Sequence, residues 1–197
     1  MRTVFAFLLT SLDGNHAGPG GEFGWADIDD DFHAFSLRQL NDIDVVVFGR
    51  TTYEHMAAWW PTAEARASDP DTAARMNAVR KVVYSRSLDE ATWEGTELVA
   101  DDAATHLTGL KREGGSGDIA IFGSSTLTAS LLDAGVVDEL RILVDPIVLG
   151  EGQRLFAGVA HRFRLAVSRT TTFRNGNVLL CGAPERVAER VAVGAAS

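Results

Sequence analysis

The chain is poor in cysteine and in positive charge. A single cysteine, Cys181, in 197 residues excludes a disulfide framework and a cysteine-ligated zinc site. It lies in an apolar run and reads as a small core residue. Eighteen Lys and Arg stand against 27 Asp and Glu, a net charge of −9. A basic face is missing, so general nucleic-acid binding is excluded, though a local basic pocket for a phosphorylated ligand is not. The N-terminal apolar run, Val4 to Leu9, is too short for a signal core or a membrane span, and Asp13 interrupts the next stretch. The expectation is a cytoplasmic protein with no membrane partner. There is no Gly-x-Gly-x-x-Gly fingerprint, so a standard Rossmann arrangement is excluded. There is no internal repeat and no linker that divides the chain, which predicts one domain over residues 1–197.

What is present is ordinary for a globular domain: 46% apolar and 23% charged residues, with ample chain to bury a core. Val4 to Leu9 reads as a buried strand, and Asp13-Gly14 as a turn. The glycine-rich stretch from Asn15 to Trp25 reads as a lid, with Phe23 and Trp25 as covering groups. Asp27, Asp29, Asp30 and Asp31 precede a helix from Phe32 to Leu40, whose positive N-terminus suits them. Asp44 to Gly49 is a second strand, followed by a helix from Arg50 that Pro61 stops. A short helix over 71–78, strands at 81–85 and 96–100, and a helix after Asp101-Asp102 come next. Asp138 to Leu149 predicts a long strand broken at Pro146. Phe163 to Phe173, Asn175-Gly176 and Val178 to Cys181 predict an antiparallel hairpin. Pro184 to Val193 predicts a short terminal helix, with a frayed tail to Ser197.

The most informative stretch is Gly117-Asp-Ile-Ala-Ile-Phe-Gly-Ser-Ser-Thr126. It reads as strand, tight turn and helix start, and a helix N-terminus attracts phosphate. Two further strand ends carry similar chemistry: Gly49-Arg50-Thr51-Thr52 and Ser85-Arg86. An arginine fork beside helix N–H groups suits a phosphate. In an open α/β sheet, ligands gather at the carboxyl ends of strands, so three such ends suggest a dinucleotide.

Gly49-Arg-x-Thr-Tyr-Glu54, Ser11-Leu-Asp-Gly14, Phe122-Gly-Ser-Ser with the run to Leu140, and Val144 to Gly152 together resemble the dihydrofolate-reductase-like superfamily. They are most similar to the branch typified by the RibD C-terminal reductase domain of riboflavin biosynthesis. The resemblance covers about residues 3–182. It implies a three-layer α/β fold, a mixed and mainly parallel sheet flanked by helices with a C-terminal antiparallel hairpin. It implies NADPH as cofactor and a small heterocyclic substrate, pterin-, folate- or pyrimidine-like, reduced at a C=N or C=O bond. The cofactor would meet Gly49, Arg50, Thr51 and Thr52, then Ser85 and Arg86 near the 2′-phosphate, and Gly123, Ser124, Ser125 and Thr126 at the pyrophosphate. Trp25 would lie near the nicotinamide or the substrate, and Phe122 would be a further cofactor-binding residue. Asp13, Asp30 and Asp31 are the candidate catalytic acids. A homodimer and a free-standing reductase without the deaminase domain are also implied. The alternative is a non-catalytic dinucleotide- or pterin-binding module.

Overall fold

The computed structural model describes residues 1–187. The long apolar runs become the strands of one eight-stranded sheet: β1 Val4–Ser11, β3 Ile43–Gly49, β4 Arg80–Tyr84, β5 Thr96–Val99, β6 Asp118–Phe122, β7 Glu139–Asp145, β9 Phe163–Thr172 and β10 Val178–Arg186. Two short strands, β2 Asn15–Ala17 and β8 Gln153–Arg154, pair separately. The sheet order is β5-β4-β3-β6-β1-β7-β10-β9, parallel through β7 and antiparallel from there on. The fold class is as expected: a mixed, mainly parallel sheet closed by an antiparallel hairpin.

Helices cover both faces, which is why the central strands are apolar on both sides. Val4, Ala6 and Leu8 of β1 pack with Leu107 and Leu110 of α5 Ala103–Arg112 and Leu131 and Leu132 of α6 Ser125–Asp133. On the other face, Phe5 and Phe48 pack with Leu40 of α1 Asp30–Asn41, Tyr53 of α2 Arg50–Trp59 and Met76 of α4 Pro70–Ala78. A six-residue helix, α3 Ala63–Ser68, precedes α4 and carries no counterpart in the sequence reading. A third cluster joins Leu143, Phe173, Leu179 and Cys181 to Phe7, Leu9, Phe32 and Phe35. Cys181 is a core residue, as its run predicts.

Two boundaries differ from the sequence reading. β7 ends at Asp145, one residue before Pro146, rather than continuing to Leu149. Pro184 to Arg186 extend β10 instead of starting a helix. Pro184 is tolerated because β7 pairs only as far as Gly182, so its missing N–H falls where no ladder partner stands. The rest of the expected terminal helix and the tail lie outside the described residues. A bulge separates Cys181 from Gly182, where any Cβ would run into the Ala166 carbonyl.

The step that positions the site comes from unequal strand lengths. Phe7 of β1 pairs with Phe122, the last residue of β6, but β1 and β7 run on together to Ser11 and Asp145. At about 3.3 Å per residue, four further residues raise a wall about 13 Å tall beside the carboxyl end of β6.

Candidate functional site

The floor of the step is made by two helix starts. Gly123 and Ser124 are consecutive residues with positive φ, 59° and 53°. Glycine adopts this conformation freely, whereas Ser124 is the single non-glycine residue with positive φ among the described residues. The reversal turns the Ser124 side chain back onto the neighbouring strand end. Its Oγ accepts from the Gly49 N–H at 2.6 Å and donates to Thr52 Oγ1 at 2.9 Å, and its N–H also donates to Thr52 Oγ1 at 3.2 Å. A Cβ on Gly49 would stand 2.8 Å from Ser124 Oγ, and one on Gly123 would stand 3.2 Å from Thr52. The ends of β3 and β6 are thus locked together by residues that the sequence singles out.

That lock has a consequence for the helices. Asp29, Thr62, Asp69 and Asp102 cap α1, α3, α4 and α5 through their side chains. α2, with Gly49 at its N-cap, and α6, with Ser124, have no side-chain cap and no acid in the first turn. Their first-turn N–H groups are left for an external anion. Thr51 and Thr126 are exposed there, and Arg50 is exposed with no ion pair or hydrogen bond among the described residues. Ser125 Oγ lies 2.9 Å from His16 Nε2 of β2, and burial lowers the pKa of that imidazole.

Register places Tyr84, the last residue of β4, beside Gly49, and Val99, the last residue of β5, beside Tyr84. Beyond them lies a cavity of about 230 Å³ lined by Ser85, Arg86, Asp101, Asp102 and their neighbours. Ser85 Oγ accepts from the N–H groups of Ser87 and Leu88, and Arg86 Nε donates to the Ala100 carbonyl at 3.4 Å. Two carboxylates therefore share this cavity with its one arginine.

The three expected acids are in different situations. Asp13 accepts from Ser11 Oγ at 2.7 Å, the Leu149 N–H at 3.1 Å, the Gly150 N–H at 2.8 Å and Asn15 Nδ2 at 3.2 Å. The Ser11 bond first, then the Leu149 amide, hold its pKa down at about 2. A carboxylate so bound is a clamp between two loops and a poor proton donor. Asp31 is paired with Arg174, with Nη2 to Oδ1 at 2.7 Å, and that bond lowers its pKa. Asp30 stands exposed at the first position of α1.

Trp25 lies half-buried in the loop between β2 and α1, its ring 5.7 Å from that of Phe23. This loop is tied down rather than free. The Asp27 N–H donates to Asp145 Oδ2 at 2.9 Å, and its carbonyl accepts from Nδ2 of Asn175 and of Asn177 at 2.9 and 2.8 Å. Phe122 meets Phe7 edge-on at 6.2 Å, next to Phe32 and Phe35, so one side of the step is lined by phenylalanine. His16, Asp145 and Asn177 are not among the residues picked from sequence. The available signal for Asp145 was an acid directly before a proline at the end of an apolar strand. Among the described residues no group of acids, histidines and cysteines could hold a metal, and no helix is long and apolar enough to cross a membrane.

Known proteins place this architecture. The uncharacterized protein YyaP of Bacillus subtilis (strain 168) is 32% identical over 181 residues, covering 90% of this chain and 92% of its own. A pyrimidine reductase-like protein from Corynebacterium diphtheriae has the same fold, with a TM-score of 0.65 at 14% identity over 95% of this chain and 93% of that one. The dihydrofolate reductase of Enterococcus faecalis, solved with NADP(H), gives 0.60 at 14% identity over 92% and 96%. Residues 2–179 match the RibD C-terminal domain, and the chain belongs to that family.

Proposed function

We propose that this protein is an NADPH-dependent reductase that adds hydride to a C=N or C=O carbon of a small pterin-, folate- or pyrimidine-like heterocycle. Membership of the RibD C-terminal domain family supports a reductase-type activity. The observation that carries the finer reading is the pair of uncapped helix starts, α2 and α6, bonded edge to edge through Gly49, Ser124 and Thr52. Two adjacent sets of free N–H groups suit a ligand with linked phosphates.

In this reading Gly49, Thr51, Thr52, Gly123, Ser124, Ser125 and Thr126 form the pyrophosphate cradle, where added side-chain atoms at Gly49 or Gly123 would intrude. Arg50 supplies the cation. Ser85 and Arg86 take the 2′-phosphate in the cavity beyond β4, against the opposing charge of Asp101 and Asp102. Trp25 and Phe122 bracket the nicotinamide, which when bound supplies the hydride. The protein's part is to orient both reactants and keep water out under the 18–29 loop. Of the three acids named from sequence, Asp30 keeps its carboxylate free for proton delivery. A homodimer is the expected assembly, checked by sedimentation.

Isothermal titration of NADPH and NADH into the purified protein tests the reading. Tight NADPH and weaker NADH binding is expected, with the difference erased in an Arg50→Ala/Arg86→Ala double variant and widened by Asp101→Asn. Failure of both nucleotides to bind refutes it.

A further inference from the structure

We propose that His16 is a positioning residue of the pyrophosphate cradle: through Ser125 it decides whether an incoming phosphate meets a hydroxyl hydrogen or a lone pair, so that nucleotide binding takes up a proton. This rests on the reductase reading and adds to it a regulation of the same site, exerted from β2.

β2 is bulged at His16. Asn15 pairs with Arg154 and Ala17 with Gln153, so neighbours on β8 face residues two apart on β2, and His16 is the extra residue between them. A bulge re-aims a side chain. Asn15 and Ala17 are buried, whereas His16 is half-buried and meets the first residue of α6. The backbone around it is fixed. Thr10 Oγ1 donates to the Asn15 carbonyl at 3.2 Å, the Asn15 N–H donates to Ser11 Oγ at 2.9 Å, and the Leu155 N–H donates to the Gly14 carbonyl at 3.0 Å. His16 Nε2 is thereby held 2.9 Å from Ser125 Oγ.

Ser125 opens a helix without a side-chain cap, and its hydroxyl has one hydrogen to give. When Nε2 is bare, that hydrogen goes to the ring, and the oxygen turns lone pairs towards an anion drawn by the free N–H groups. A protonated ring donates from Nε2 instead. The hydroxyl hydrogen is then released to a phosphate oxygen, and the imidazolium adds a positive charge beside the cradle. The anion therefore binds the protonated ring better, and by linkage a bound anion strengthens the hold of the ring on its proton.

The charged groups around β2 leave this task to the imidazole. β1 carries no charged residue, and α6 has its first, Asp133, at its far end. Asp13 is engaged by Ser11, Asn15 and the Leu149 and Gly150 N–H groups. Glu22 accepts from the Gly20 N–H, and Glu151 and Arg154, on the segment paired with β2, are exposed. Arg50 of α2, the cation of the cradle, keeps its charge at every working pH. Burial lowers the imidazole below its ordinary 6.5, with no neighbouring charge contributing. The empty site thus holds a mostly neutral ring at pH 7, ready to take up a proton with the anion.

The alternative role of His16 is to pin β2 to α6 and nothing else. His16→Gln separates the two, because the amide can donate to Ser125 at every pH and never becomes charged. NADP+ is titrated calorimetrically into the full-length wild type and variant from about pH 8 down to about pH 5, a range that brackets the ordinary imidazole value. The 2′-phosphate of the nucleotide titrates in the same range, and the ratio of the two affinities cancels its effect. The wild type is expected to gain about tenfold over the variant as pH falls, the equivalent of about one pKa unit of coupling. A constant ratio overturns the proposal and leaves a pin. A ratio that moves the other way also overturns it, because protonation then breaks the contact. A measurement on the wild type guards against misfolding: the NMR-titrated pKa of the His16 ring, recognised by its absence from His16→Gln, should rise by about one unit when NADP+ saturates the protein. An unchanged value overturns the proposal. NADPH binding at neutral pH is read beside these, so failure of the reductase reading shows separately, as nucleotide binding absent at every pH, and takes this proposal with it.

Discussion

Replacing Gly49 by alanine tests the lock between the two helix starts. Gly49 has φ −85°, so alanine brings no backbone strain, and the effect is confined to the methyl group. That methyl would lie 2.8 Å from Ser124 Oγ and 3.2 Å from Ser124 Cβ. The hydroxyl has to swing away, breaking its bonds to the Gly49 N–H and to Thr52 Oγ1. Two hydrogen bonds at about 1 kcal/mol each, less about 0.5 kcal/mol gained from a stiffer unfolded chain, leave a loss of about 1.5 kcal/mol. For a chain of this size that lowers Tm by about 3–6 °C. Differential scanning calorimetry reads it. A Gly49→Ala/Ser124→Ala double variant should cost less than the sum of the two single variants, because both remove the same bonds. NADPH affinity should fall alongside, since the turn can no longer hold both N-termini in register. An unchanged or raised Tm for Gly49→Ala, or strict additivity in the cycle, would refute the lock.

Three further outcomes are expected. Asp13 has its pKa lowered from 3.8 to about 2, so its bonds stabilise the folded state above pH 3.8 and are lost as pH falls towards 2. The stability gap between wild type and Asp13→Asn in urea melts should therefore hold steady at neutral pH and close over that acid window. Lys81 is fully buried against Trp93, and burial lowers its pKa from 10.5 to about 8. Folding then releases a proton between those values, so wild-type stability relative to Lys81→Met should rise from pH 8 to 10.5, and a flat difference would contradict the burial argument. Gly182→Ala puts a Cβ into the Ala166 carbonyl, and overpacking of about 1–3 kcal/mol should appear as a Tm lowered by about 2–12 °C with nucleotide affinity unaffected.

The layers were legible in the sequence because local signals agreed with the global fold. Apolar runs of four to eight residues ended in Gly, Ser or Thr, and Asn175-Gly176 marked the hairpin. The linked strand ends were legible for the same reason, since Gly49, Thr52, Gly123 and Ser124 are turn residues that both turn the chain and bond across it. What was not legible depends on distant partners. α3 is six residues long, too short for a periodic pattern, and β2 and β8 have no run at all. Pro184 looked like a helix start until β10 outran β7. Asp145 reads locally as a break in a strand. Its burial comes from β1 and β7 running past β6 and from the cover of the 18–29 loop. The acids of the 27–31 cluster could not be ranked because their difference lies in Arg174, some 143 positions away in sequence.

The strand order also bears on how the chain reaches this state. β1 is made first, yet its two neighbours are β6 and β7, at residues 118–122 and 139–145. β3 likewise leaves one edge bare until β6 slides between it and β1. The apolar β1 strand thus waits, with both ladder edges open, until some two-thirds of the chain has emerged. Pairings at such separations close slowly, and an unpaired apolar edge is what other chains recruit. Growth conditions that slow synthesis or crowd nascent chains should therefore lower the soluble yield through β1, and Leu12→Lys, just beyond its end, should recover it without touching the site.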